Sequence, residues 1–194
     1  MANKDASFGL RLSRSGNGSD LQNMQNKYRI ASGYNTTIYQ GDLVAVVTGG
    51  GIERVAAGGS GLILGVFNGV NYTDSDGKPR WSNKWTANTV ASDAEASVID
   101  APYAVYEIQA NAAMPVADLF GNFDIVDQSP VGDNASGISR MEMAVSTGAT
   151  TATLPLKAID ISTDPENSDV ASANTNVIVM INNHLFSGGT LGLA

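Results

Sequence analysis

The chain has 194 residues, with no cysteine and a single histidine. Without thiols, disulfides, thiolate nucleophiles, zinc–thiolate sites and iron–sulfur clusters are all excluded. A Ser-His-Asp triad would have to use His184. That residue follows the last strand-like run, in Asn182-Asn183-His184-Leu185, and no Gly-x-Ser-x-Gly elbow occurs anywhere, so it reads as a polar residue at a strand end. Metal sites are reduced to oxygen-ligand ones. Asp74-Ser75-Asp76-Gly77 mimics part of a calcium loop, but Tyr72 and Asn83 stand where the first ligand and the bidentate Glu belong, so the expectation is a plain turn.

Charge and aromatics are also scarce. Charged residues make up 15% of the chain and aromatics 7%, against about 25% charged in a typical globular domain. The polar surface must therefore come from Asn, Ser, Thr and Gly, which suits β structure and self-association. No apolar run is long enough to span a membrane, and Met1-Ala2-Asn3-Lys4-Asp5-Ala6 lacks the apolar stretch of a signal peptide. Four Asn-x-Ser/Thr triplets, at Asn17, Asn35, Asn71 and Asn134, are expected to be chance in so Asn- and Ser-rich a chain. The glycine clusters at 49–51 and 58–61 fit no phosphate-binding pattern and read as hairpin turns. Two carboxylate groupings could in principle serve glycoside hydrolysis: Asp124 with Asp127, and Asp164, Glu166 and Asp169 in one loop. With so few aromatics to stack sugars, both read as solvated loop carboxylates. No enzymatic activity and no cofactor are expected.

What is present is an uneven charge distribution. Residues 1–30 carry Lys4, Arg11, Arg14, Lys27 and Arg29 against Asp5 and Asp20, a balance of +3, while the whole chain stands at −8 and the remainder therefore at −11. An acidic body argues against nucleic acid as a partner, because phosphate binding needs a basic stripe. The leader is too weakly basic for that role, and Phe8 and Tyr28 are its only rings. Residues 1–26 show no helical or strand period over most of their length and are expected to be ordered only against something else. Within them, Phe8-Gly9-Leu10-Arg11-Leu12 alternates as a strand does.

From residue 27 short apolar runs alternate with turn residues. The expected strands include Leu43 to Val47, Ile52 to Ala56, Leu62 to Phe67, Ser97 to Ile99, Ala104 to Ile108, Phe123 to Val126, Met141 to Met143, Leu154 to Ile161 and a central one at Val177 to Ile181. Alternation in the fifth of these puts Val105, Glu107 and Gln109 on one face and Tyr106 and Ile108 on the other. Gly65 and Gly69 predict a bulge or sharp bend. Pro115 to Gly121 reads as the one short helix, with Val116, Leu119 and Phe120 on a shared face. Residues 86–96 read as a flexible insertion. The predicted fold is mostly β: a single β-barrel- or sandwich-like domain over 27–194, one short helix, and an extended N-terminal arm over 1–26. Both tryptophans, Trp81 and Trp85, fall in one window, where each can cap the core or face a neighbouring subunit.

The opening Met1 to Arg11 resembles the start of a group of tailed-phage virion structural proteins common in marine phages. The likeness continues at Tyr28 to Tyr34, at Gly41-Asp42-Leu43-Val44, at Leu64 to Tyr72 and at Gly77 to Trp85, covering roughly the first half of the chain in order. These proteins are similar to capsid decoration, or cement, proteins. The resemblance implies a place on the capsid exterior of a virion assembled in the host cytoplasm. It also implies binding to the major-capsid lattice, often as a homotrimer, with no catalytic residues, no nucleic acid and no membrane. The expected lattice contacts are Phe8, Leu10, Arg11, Leu12, Arg14, Lys27 and Arg29, and the expected intersubunit residues are Trp81 and Trp85. On this view, deleting residues 1–26 leaves the body folded and weakens capsid binding. Two other roles stay open: another head or head–tail component that self-assembles, and a carbohydrate-binding surface protein.

Overall fold

In a computed structural model, which describes residues 2–18, 24–189 and 191–192, the chain forms two large antiparallel sheets and a small third one. In chain order the strands are β1 Arg11–Ser15, β2 Gln25–Arg29, β3 Ile38–Tyr39, β4 Leu43–Val46, β5 Ile52–Arg54, β6 Gly65–Thr73 and β7 Pro79–Ser82. They continue as β8 Lys84–Trp85, β9 Glu95–Ile99, β10 Ala104–Gln109, β11 Asn122–Val126, β12 Glu142–Ala149, β13 Leu156–Ile161 and β14 Asn176–Ile181. The first sheet has the order β1-β10-β14-β13-β11-β12; the second runs β2-β9-β6-β4-β5, with β7 also on β6; β3 and β8 pair separately. An isolated bridge from Ala110 to Met143 links the end of β10 to β12, short of closing a barrel. The result is sandwich-like.

The expected alternation of β10 holds. Tyr106 and Ile108 lie in the core between the sheets, beside Phe123, Leu156 and Val179 of the first sheet and Leu43, Val66 and Ile99 of the second. β14 is central, as its β-branched composition predicts, flanked by β10 and β13. The second sheet is buried on both faces. Val44, Phe67, Val70, Ala96 and Val98 point away from the first sheet into a second core closed by Ile38 of β3 and Trp85 of β8. The predicted irregularity in β6 is a bulge: its register against β9 shifts between Phe67 and Gly69, and Gly69 has φ +142°. Gly65 is required for closeness, since a Cβ there would lie 2.1 Å from the Ile99 carbonyl oxygen.

Three expectations need correction. The helix over 115–121 is only a 3-10 turn, Val116–Asp118, with no buried residue; Val116 and Phe120 are exposed, and only Leu119 packs on the core. A segment that short cannot hold several side chains on one buried face. Residues 86–96 are not an insertion: Ala91, Ala94 and Ala96 are buried, and β9 begins at Glu95. Their side chains are small, and the low hydrophobicity of the segment disguises their place in the second core. Finally, the boundary drawn after residue 26 falls inside β2, and Leu10 and Met24 are core residues. The N-terminal segment is extended, but it is built into the sandwich.

Candidate functional site

Several sets of contacts tie the described part of the N-terminal segment to the body. Asn3 donates to the Asp169 carbonyl at 2.8 Å and accepts from the Asp169 N–H at 3.1 Å. Gln109 Nε2 donates to the Lys4 carbonyl, while the Ala6 N–H donates to Gln109 Oε1. The Leu10 N–H donates to the Gly41 carbonyl at 2.9 Å. β1 then pairs with β10, Arg11 opposite Glu107 and Leu12 opposite Tyr106, and becomes an edge strand of the first sheet. Arg11 donates to Glu107 at 2.5 Å, and its guanidinium sits 4.7 Å from the centre of the Phe8 ring. Burial alone would raise the Glu107 carboxyl; hydrogen bonds from Arg11, Ser162 and Asn176 outweigh it and hold the group below its usual range. The loop over 162–175 therefore helps to anchor the segment, through hydrogen bonds of its backbone and neutral side chains with Asn3, Lys4 and Glu107 rather than through its carboxylates.

The predicted contact residues divide. Phe8, Leu10, Arg11 and Leu12 come together along an open groove of about 420 Å³ that also takes in Gln25, Gln40 and Asn68. A hydrogen-bond chain edges it: Gln40 donates to Asn68 and Asn68 to Gln25. Leu10 is 3% exposed, so it is a core residue and not a surface contact. Arg14 is exposed on β1, and Lys27 and Arg29 are exposed on β2. The tryptophans also separate. Trp85 is fully buried, stacked edge-on against Tyr72 at 5.9 Å and donating from Nε1 to the Tyr34 carbonyl. It is not an intersubunit residue. Trp81 is 67% exposed.

Of the carboxylates weighed for glycoside hydrolysis, Asp124, Asp127, Asp164 and Asp169 are tied to backbone or to arginine. Asp124 accepts from the Gly58 and Ile125 N–H groups, and Asp127 from the Ala57 N–H and from Arg54. Asp164 and Asp169 accept from N–H groups two residues ahead of them, as loop-shaping residues do. Asp74 accepts from the Asp76 and Lys78 N–H groups in the predicted turn. His184 is fully buried; its Nδ1 accepts the Phe186 N–H, and burial lowers its pKa against the opposing pull of Asp100.

Sequence reasoning missed an ionic cluster between the sheets. Asp42 is fully buried, accepting from the Tyr39 N–H at 2.8 Å, from Ser139 Oγ at 2.6 Å and from Arg54 Nε at 2.9 Å. Arg54 reaches on to Asp127. Burial pushes the Asp42 carboxyl up and Arg54 pulls it back; burial disfavours the Arg54 cation, but the two carboxylates raise its pKa on balance. Each charge is paired and hydrogen-bonded, the condition under which buried ions are tolerated. Nothing local in the sequence marks Asp42 and Arg54 as a buried pair. Against protein-family models, curated proteins and solved structures, the chain finds no match.

Proposed function

We propose that this chain is a virion structural protein that binds the outside of an assembled phage capsid and stabilises it by bridging neighbouring major-capsid subunits. The ordered series of motifs in the first half of the sequence supports the reading. The structural observation that carries it is β1: an edge strand on an acidic body that presents the basic side chains Arg11 and Arg14 to solvent. A strand edge offers backbone hydrogen bonds to a partner strand, and flanking cations favour an acidic partner surface. Bridging as a homotrimer multiplies such contacts, so that expansion under internal pressure must break several at once. Lys27 and Arg29 on the second sheet's edge strand β2 present a second basic strip in this arrangement.

Removing the whole N-terminal segment is a poor test, because Leu10 and Met24 would leave the core with it. Charge changes on the exposed side of β1 are cleaner. The variant Arg14→Glu, which spares the Arg11–Glu107 pair, is expected to fold and to lose co-sedimentation with expanded capsids, while the unaltered protein binds expanded but not immature ones. Undiminished binding by Arg14→Glu removes β1 as the contact. Rings or lattices formed by the purified protein alone favour a self-assembling head component instead.

A further inference from the structure

The face of the second sheet that packs on the first sheet continues beyond it. Ile99 of β9 lies in the core between the sheets, and Glu95, on the same side by alternation, is exposed. On this overhang the strand registers align one residue from each of four strands. Trp81 of β7 faces Asn71 of β6, Asn71 faces Glu95 of β9, and Glu95 faces Arg29 of β2. At about 4.8 Å per strand the row spans roughly 14 Å. It lies along an open groove of about 660 Å³.

The chemistry of the row is uneven in an informative way. The six-membered ring of Trp81 leans over Gly69, within 3.3 Å of where a Cβ would sit, so the bulge glycine gives the indole a flat seat on the sheet. Most of the ring remains open to solvent. Beside it, the side chains of Asn71 and Arg29 make no hydrogen bond or ion pair among the described residues, and Glu95 is held by Lys27 at 3.1 Å. Asp93 also lines the groove, fixed by the Thr73 N–H and hydroxyl at 3.0 and 2.6 Å. Its lining charges balance, Arg29 and Arg80 against Asp93 and Glu95. One flat apolar ring followed by donors and acceptors at strand spacing is what a chain of sugar rings offers in complement: a C–H face to stack and hydroxyls along its edge. A protein partner would call for a broader apolar centre than one indole.

We infer that this overhang is a carbohydrate-binding face for a neutral hexopyranose oligosaccharide, with Trp81 as its stacking platform and Asn71, Glu95 and Arg29 bonding the hydroxyls. The site is separate from β1, shares Arg29 with the β2 strip, and does not rest on capsid binding. Acrylamide quenching of tryptophan fluorescence tests it directly, because buried Trp85 is an internal reference and exposed Trp81 carries the signal. The probes are maltohexaose, cellohexaose and mannohexaose. At least one is expected to shield Trp81 with a dissociation constant on the order of 1 mM. By calorimetry, Trp81→Ala should weaken that binding at least about tenfold, Asn71→Ala should weaken it less, and Arg14→Glu should leave it unchanged. The inference is overturned if no probe shields Trp81 at about 10 mM, or if binding survives Trp81→Ala. It is likewise overturned if Trp81→Ala changes the sedimentation of the free protein, which would assign the indole to a contact between copies.

Discussion

On β9, Ile99 and Glu95 project from the same side of one sheet, four residues apart, yet one is buried between the sheets and the other stands in solvent. β6 repeats the contrast: Val66 is roofed by the first sheet, and Asn71, past the bulge at Gly69, lies in the open groove. Strand alternation says which side a residue takes, but not how far the covering layer extends. The covered half of this face is apolar and holds the fold together. The overhang mixes the exposed ring of Trp81 with polar and charged side chains, and it is free to meet a ligand. In a two-layer β protein, the site to look for is therefore where one sheet outruns the other.

Trp81 and Trp85 give the sharpest way to break this comparison. Trp85→Ala empties a fully buried site in the second core and should cost about 3–5 kcal/mol in urea unfolding. Trp81→Ala, on the overhang, should change stability by no more than about 0.5 kcal/mol. Comparable losses would mean that the overhang is as structural as the covered half.

Next in size is the ionic cluster on the covered side. Asp42→Ala leaves Arg54 buried with only Asp127 and removes the acceptor of Ser139 and of the Tyr39 N–H. A loss of about 3 kcal/mol is expected. Replacing an exposed overhang carboxylate, as in Asp93→Ala, should cost much less. An effect of Asp42→Ala below that of Asp93→Ala would show that the cluster is incidental to the sandwich.

Much of the β architecture was legible because it rests on local patterning. β10, β14 and the β6 bulge follow from alternation, β-branching and two glycines. The site was less legible because it depends on register. Trp81, Asn71, Glu95 and Arg29 lie far apart in sequence and meet only through three strand pairings. The N-terminal segment was misjudged for a similar reason. Its own composition cannot support order, but Glu107, standing in the otherwise mostly apolar β10, supplies the partner for Arg11 that fixes β1. The tryptophan window left each ring two places, the core or a neighbouring subunit; Trp85 on β8 lies in the second core, and Trp81 on β7 is exposed on the overhang.

The Arg11–Glu107 tie sits at the rim of the covered region and should show an intermediate, pH-dependent effect. Glu107 has a lowered pKa in the folded protein. The unfolded chain therefore binds more protons as pH falls, and the stabilisation is complete above the ordinary value near 4.5 and lost as pH drops through the lower folded value. Amide resonances of residues 11–15 should shift between pH 6 and pH 3, ahead of those in β14. In Glu107→Gln that early shift should disappear. Simultaneous movement of β1 and β14 would instead indicate that the rim is not a separate unit.

The smallest effect belongs to the overhang itself. Lys27 and Glu95 form an ion pair at 3.1 Å with both side chains at least half exposed. In water such a pair gains little Coulomb energy and gives up side-chain freedom to hold one geometry. A double-mutant cycle with Lys27→Met and Glu95→Gln should therefore return a coupling of about 0.2–1 kcal/mol at low salt. Because the Debye length shortens to about 3 Å at 1 M, the coupling should largely vanish there. The pair's use is positional: Lys27 holds the Glu95 carboxylate in the row between Asn71 and Arg29. Lys27→Met should thus lower oligosaccharide affinity more than it lowers stability, whereas a coupling of several kcal/mol that resists salt would place these residues with the buried cluster and erase the distinction between the two halves of the face.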